Sequence, residues 1–347
     1  MNFQLTKEQE FVQKMVREFA KTEVEPLAAE IDQEHRFPVE TVEKMAKYGL
    51  LGIPFPTKYG GMGGDEVSYS ITVSELAKVC ASTSVIVSAH TSLCCWPIYK
   101  YGTEDQKMKY LPELLSGKKL GAFGLTEPNA GTDASGQQTR AELDGDEWVL
   151  NGAKCFITNG GYAEVFVVMA MTDKSKGNHG ISAFIVEKND PGFSIGKTED
   201  KMGICASSTT ELIFQNCRIP KDRLLGGLGK GFKVAMQTLD GGRIGIASQA
   251  LGIAEGALEV TIEYMKQRKQ FGKKLAQMQA LQFVVADLAT KVEAAKLLVL
   301  KSAFCEDAGL PYGVPAAMAK LFAAETAMEV TTKCVQLHGG YGYTKDY

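Results

Sequence analysis

Residues 120–152 read LGAFGLTEPNAGTDASGQQTRAELDGDEWVLNG, and along this stretch the apolar residues cease to recur at helical spacing. Asp144-Gly145 is a hairpin signal, and so is Asn151-Gly152 after Trp148-Val149-Leu150, because tight primed turns need residues that tolerate positive φ. Apolar runs follow at 165–171, 181–186 and 211–214, separated by Gly, Asn, Asp and Pro. This spacing predicts a block of short antiparallel strands that ends near Arg218-Ile219-Pro220.

Both flanks read as helices. Upstream, Thr6 with Gln9 three residues later fits a capping box. Phe11, Val12, Met15, Val16 and Phe19 then recur at helical spacing. Pro38 opens a second helix and Gly49 follows its end. The segment PFPTKYGGMGGDE (54–66) lacks the GxxxxGK[ST] spacing and is a plain connection. Thr103 and Gln106 start another helix. Downstream, no proline occurs between Gly229 and Pro311, and helical patterns fill roughly 230–267, 276–306 and 314–337. Helices of this length pack as an antiparallel bundle. The chain is therefore expected to be α+β: an N-terminal helical domain (1–119), a middle antiparallel β-domain (120–228) and a C-terminal helical bundle (229–347).

Composition narrows the function classes. The chain has 347 residues, 45% hydrophobic and 23% charged, which excludes a disordered, collagen-like or coiled-coil chain. Lys and Arg total 38 against 41 Asp and Glu, a formal charge of −3, which argues against nucleic acid as the main partner. The uncharged stretch 79–99 contains four Ser, two Thr, His90 and Pro97; it is a poor membrane span and reads as a buried helix. The N-terminal MNFQLTKEQE has polar residues where a signal peptide needs an apolar run. Eight scattered cysteines without a CxxC pair read as reduced thiols of a cytoplasmic protein. Histidines at 35, 90, 179 and 338, without HExxH, give no zinc site.

Three segments carry candidate chemistry. Residues 124–133, GLTEPNAGTD, place two hydroxyls, two carboxylates and glycines in a tight turn after a strand; threonine hydroxyls there can donate to ring or phosphate oxygens, although alone the segment is an ordinary polar turn. Residues 268–275, RKQFGKKL, put an arginine and a Phe-Gly break at the end of a long helix. That fork of donors can grip a pyrophosphate, or simply cap the helix dipole. Residues 336–343, QLHGGYGY, set paired glycines after a helix, a way of offering backbone N–H groups to a phosphate or of stopping the helix; His338 by itself reads as structural.

Together, in this order and at this spacing, the three segments resemble the acyl-CoA dehydrogenase family over essentially the whole chain. GLTEPNAGTDASG (124–136) resembles the family's first signature and QLHGGYGYTKD (336–346) its second. The nearest in appearance are the short-chain (butyryl-CoA) dehydrogenases of anaerobic bacteria. The resemblance implies an N-terminal helical domain, a middle β-domain and a C-terminal four-helix bundle. It implies FAD, with Phe123, Leu125, Thr126, Gly131 and Thr132 lining the flavin and Phe156, Ile157 and Thr158 covering its other side. Many relatives have Trp where this chain has Phe156; the aromatic ring is kept. Arg268, Phe271, Gln279, Gln336, Leu337, His338, Gly339 and Gly340 match positions that reach the FAD of a neighbouring subunit, which makes the functional form a homo-oligomer, a dimer of dimers in the family. Acyl-CoA is expected to meet Thr132 and Asp240, Gly241, Gly242 and Arg243.

The implied chemistry is removal of the α-proton by a carboxylate while the β-hydrogen leaves as hydride to the flavin, helped by hydrogen bonds to the thioester oxygen. An electron-transferring flavoprotein is the implied partner, and the direction of the reaction stays open. No catalytic residue is assigned within the chain. One of the family's two base positions falls on Gly242, which has no side chain, and the other is a glutamate beyond the second signature, so the bundle is expected to be truncated at Tyr347 and the base to lie C-terminal to it. Three other readings of the same fold rank lower. Oxidases of this fold are longer chains. A DNA-associated, binding-only flavoprotein fits poorly with the near-neutral charge. A glutaryl-CoA enzyme needs a cation for the distal carboxylate, yet no arginine lies between Arg36 and Arg140, and Ser84 stands near that position.

Overall fold

The computed structural model describes residues 4–347; residues 1–3, the start of the polar N-terminal stretch, lie outside the described residues. The helices are α1 (Lys7–Phe19), α2 (Glu25–Gln33), α3 (Val39–Lys47), α4 (Glu66–Ala77), α5 (Ala81–Ser88), α6 (Trp96–Tyr101), α7 (Glu104–Leu115), α8 (Gly231–Gln267), α9 (Gln279–Asp307) and α10 (Gly313–His338). Single π-helical turns, Ala20–Val24 and Ala89–Cys95, join α1 to α2 and α5 to α6. The strands are β1 (Gly121–Gly124), β2 (Arg140–Asp144), β3 (Glu147–Thr158), β4 (Val165–Met171), β5 (Ile181–Glu187), β6 (Phe193–Thr198), β7 (Thr209–Pro220), β8 (Leu224–Leu225), β9 (Lys269–Gln270) and β10 (Lys273–Lys274). Both capping boxes form: the Thr6 and Thr103 hydroxyls accept from the backbone N–H of Gln9 and Gln106. Of the uncharged stretch 79–99, residues 81–99 are helical and mostly buried. Among the described residues no helix is long and apolar enough to cross a membrane.

The chain divides into two compact units. One comprises Ala29–Asp65 with Ile86–Gly242; the other comprises the chain up to Ala28, Glu66–Val85 and Arg243–Tyr347. In the first unit eight strands form one sheet in the order β6-β7-β3-β2-β4-β5-β8, with β1 beside β4. Most neighbours are antiparallel, as expected, but β1 pairs with β4 in parallel, and Arg140 of β2 pairs in parallel with Met171 of β4. The sheet is mixed because β1 enters directly from helix α7 and returns to the sheet only after the signature loop.

Strands β4 and β5 are apolar at nearly every position because both faces are covered. Val165, Val167, Met169, Ile181, Ala183 and Ile185 pack with Leu111, Leu114 and Leu115 of α7. The alternate residues Phe166, Val168, Ala170, Phe184 and Val186 pack with Leu150 and Phe214 of β3 and β7. This is the two-residue period of a strand read against two different cores.

One expected turn is displaced. Asp144-Gly145 does turn the β2–β3 hairpin, pairing Asp144 with Glu147. Asn151-Gly152 does not turn the chain; it sits inside β3 at a register shift against β7. Gly152 has φ 145°, and a Cβ there would lie 2.5 Å from Thr139 Oγ1. Glycine is needed for this irregular backbone and close approach, not for reversal. The Asn151 side chain accepts from Asn216 N at 2.8 Å across the bulge.

In the second unit α4 is buried at every residue. Asp307, at the end of α9, caps it by accepting from Glu66 N (2.7 Å) and Val67 N (3.1 Å). Small residues let helices approach closely: Ala247, Ala254, Ala295, Ala319 and Ala323 share one core. A Cβ on Gly252 would stand 2.1 Å from Ser74 O. The C-terminal third supplies three long helices, α8, α9 and α10, close to their expected bounds.

His90, fully buried in the π-turn of the first unit, holds the start of β1. Its Nδ1 accepts from Gly121 N at 3.0 Å, so the proton sits on Nε2 and is donated to Leu114 O at 3.1 Å. Burial pushes its pKa down to about 4. An unfolded histidine binds a proton below about 6.5, so stability is present above that pH and is lost as pH falls towards 4. Both tryptophans, Trp96 and Trp148, lie in this unit. Urea midpoints read by tryptophan fluorescence are therefore expected to fall between pH 6.5 and 4, and His90→Gln should flatten that slope. An equal slope in the variant would assign it to other groups.

Candidate active site

The signature loop runs from the end of β1 to the start of β2. Glu127 and Ala130 exchange backbone hydrogen bonds, 3.1 and 3.0 Å, closing a turn around Pro128-Asn129. Lys154 of β3 is fully buried, and its ammonium points into this loop. It donates to Leu125 O (3.1 Å), Glu127 Oε1 (2.7 Å) and Gln137 Oε1 (3.1 Å). The Glu127 carboxylate also accepts from Gln138 N (2.5 Å) and Thr139 N (3.0 Å). Cys155 N donates to Thr126 O at 2.9 Å. One ion pair thus closes both ends of the loop and fastens it to β3. Burial lowers the Lys154 pKa to about 8, with Glu127 opposing the shift. Burial alone would raise Glu127, but Lys154 and the two backbone donors outweigh it and hold the carboxyl below its ordinary value.

Two residues beyond Lys154 the strand slips register against β7. Phe156 there has φ 60°, and its side chain is 63% exposed. Thr158, at the strand end, is half-buried and Ile157 is buried. On the loop, Thr126 is half-buried, Leu125 is buried, and Gly131 and Thr132 are exposed. Phe123 and Leu125 share an apolar cluster with Leu239, the residue before Asp240 on α8. Gly241 and Gly242 are buried, and a Cβ on Gly242 would meet Leu93 Cδ2 at 2.8 Å. Asp240 and Arg243 are half-buried on the same helix. The signature loop, 156–158 and α8 as far as Gly242 fall within one unit, and Arg243 begins the part of α8 that belongs to the other.

The remaining candidates lie in the other unit. Arg268 directly follows α8, and the segment after it is a two-residue hairpin that sequence reading took for a helix cap or break. Lys269 and Gln270 pair with Lys274 and Lys273. Phe271 (φ 52°) and Gly272 (φ 75°) form the turn, both with positive φ as a primed turn requires. The Phe271 ring is 92% exposed. The Arg268 guanidinium lies over the Tyr341 ring, 5.4 Å from its centroid. Tyr264 OH donates to His338 O (3.2 Å) and stacks on the His338 ring at 4.3 Å. His338 Nδ1 donates to Cys334 O at 2.8 Å. The histidine is thus packed as a structural side chain at the α10 terminus, while Gln336, Gly339 and Gly340 are exposed beside buried Leu337. Gln279 is the first residue of α9 and is exposed.

Sequence reading passed over Lys154. Its signal was present: in β3 the buried residues are Trp148, Leu150, Lys154, Cys155 and Ile157, so a lysine occupies a core position of a strand. A buried lysine demands an acidic partner, and the signature supplies Glu127.

Family models describing the acyl-CoA dehydrogenase N-terminal, middle and C-terminal domains match residues 6–118, 122–217 and 229–347. The chain belongs to the acyl-CoA dehydrogenase family. Among its relatives, a short-chain specific acyl-CoA dehydrogenase of Clostridium acetobutylicum is 61% identical over all of this chain and 92% of its own length. The solved structure of butyryl-CoA dehydrogenase from Megasphaera elsdenii superposes with TM-score 0.99 at 52% identity, covering all of this chain and 92% of that one. A chain from a structure of the electron transferring flavoprotein of Acidaminococcus fermentans, studied for flavin-based electron bifurcation, gives TM-score 0.99 at 56% identity, covering all of this chain and 91% of that one.

An aromatic residue at positive φ is strained, and Phe156 recovers little by packing because its ring faces outward. Phe156→Gly is expected to raise the stability of the ligand-free protein by up to about 1 kcal/mol, since glycine adopts positive φ without the Cβ penalty. Urea unfolding monitored by tryptophan fluorescence checks this; a clear loss of stability would show the ring to be part of the core.

Proposed function

We propose that this chain catalyses the FAD-dependent α,β-dehydrogenation of a short-chain acyl-CoA, butyryl-CoA to crotonyl-CoA or the reverse, in the cytoplasm. It exchanges electrons with an electron-transferring flavoprotein. The observation that carries the reading is the pair of outward-facing, strained aromatic residues beside clamped or glycine-bearing backbone, Phe156 next to the signature loop and Phe271 next to Arg268. The residues present fit a flavin dinucleotide. Outward rings suit a planar apolar ring system, and no atom lies within 4 Å of a Cβ built on Gly131, Gly339 or Gly340, so those backbones are open to close approach. The similarity to the short-chain enzymes supports the substrate class, and that to the flavoprotein structure supports the partner.

In this reading Phe123, Leu125, Thr126, Gly131 and Thr132 line the flavin on one side and Phe156, Ile157 and Thr158 on the other. The Thr126 and Thr158 hydroxyls act as hydrogen-bond partners of the ring. Arg268, Phe271, Gln279 and 336–340 reach the FAD of a neighbouring subunit, which makes the working form at least a dimer; Arg268 does so through charge-assisted bonds to phosphate. Bound there, FAD would supply the acceptor for the β-hydrogen as hydride. Thr132 and Asp240 to Arg243 hold the acyl-CoA, and the missing Cβ of the buried Gly242 lets the half-buried Leu93 pack directly against α8.

Butyryl-CoA is expected to perturb the flavin spectrum of the FAD-loaded protein at lower concentration than octanoyl-CoA. The check is a spectral titration with acyl-CoAs from propionyl- to dodecanoyl-CoA, and the reverse order would overturn the short-chain assignment.

No carboxylate within 1–347 is assigned the α-proton. Gly242 offers none, and Asp240, two residues earlier and so roughly 200° round the helix, would misplace the base; misplacement of about 1 Å costs on the order of 10²-fold.

A further inference from the structure

We propose that Lys154 is a positioning residue: paired with Glu127, it sets the separation between the two segments of this unit that hold the flavin, the signature loop and 156–158. The inference rests on the FAD-binding function proposed above and goes beyond it, because Lys154 is fully buried beneath the loop and is not among the residues assigned to the flavin. The loop leaves the sheet at Leu125 and returns at Thr139. Between those points its inward-facing groups converge on one charge pair. Leu125 O and Gln137 Oε1 accept from the ammonium, and Gln138 N and Thr139 N donate to the carboxylate. Thr126, Gly131 and Thr132 all lie within this closed span. The other end of the device is covalent: Lys154 stands two residues before Phe156 on the same strand.

The separation of Thr126 from Thr158 is thus held by hydrogen bonds that lose their centre when the ammonium is removed. An apolar residue at 154 would fill space, but it would leave Leu125 O and Gln137 Oε1 without their donor and the Glu127 carboxylate without its counter-charge. A purely stabilising pair could be replaced by a neutral one with both properties restored, whereas a positioning pair could not.

The test measures FAD dissociation constants by flavin fluorescence, together with urea midpoints, for wild type, Lys154→Met and the double variant Glu127→Gln/Lys154→Met. Lys154→Met should bind FAD at least about tenfold more weakly and be less stable, because it strands a buried carboxylate. The double variant removes that stranded charge. It should recover most of the stability yet stay about tenfold weaker for FAD, with a shifted flavin absorption band. FAD affinity within about twofold of wild type in the double variant would overturn the proposal and leave the pair a structural element only. If both variants fail to fold, Gln137→Ala decides, since it removes one of the three acceptors: weakening of about threefold supports the proposal and unchanged affinity overturns it. Wild-type protein that takes up no FAD overturns the functional reading itself, an outcome distinct from a variant that binds as wild type does.

Discussion

A single buried ammonium, Lys154 Nζ, is the point on which the signature loop depends. Taking a lysine fully out of water is costly unless its charge and its protons are all met. Here three acceptors surround it, and its carboxylate partner is itself met by two backbone N–H groups. The pair does what an apolar core residue could not: it satisfies backbone groups of an irregular loop that has no ladder to join. An irregular segment buried at one edge must find partners for those groups, and this segment finds them in one place. The cost is sensitivity, because a network closed by one charge cannot lose that charge quietly.

The sheet beneath the loop explains why the clamp sits on β3. Strands β4 and β5 are sealed on both faces by helix α7 and by β3 and β7, so they have no surface left to offer a ligand. Strand β1 is short and ends where the loop begins. β3, with its glycine bulge at Gly152 and its register slip before Ile157, combines buried and exposed positions. The slip turns Phe156 out of the core at the point where Lys154 and Ile157 turn in.

Strain and stability are traded in the same places. Phe156 and Phe271 both occupy positive φ with their rings outward, a combination that packing within one chain does not reward. In the proposed reading these two conformations serve the flavin rather than the fold. In each case the neighbouring backbone is pinned: by the Lys154 clamp for Phe156, and for Phe271 by the β9–β10 pairing together with the bond from Leu275 N to Arg268 O.

Much of this was legible in the sequence. The helix–strand–helix order followed from the change of period near Leu120, the capping boxes at Thr6 and Thr103 from local chemistry, and the apolar runs of β4 and β5 from composition alone. These are local properties, fixed by residues within a few positions of one another. Tertiary structure decided the rest. Asn151-Gly152 has the chemistry of a turn, but the approach of Thr139 across the sheet made it a bulge. The parallel placement of β1 depends on where α7 delivers the chain. The role of Lys154 depends on Glu127, which lies 27 positions away in sequence, and a buried charge shows its purpose only beside the charge that answers it.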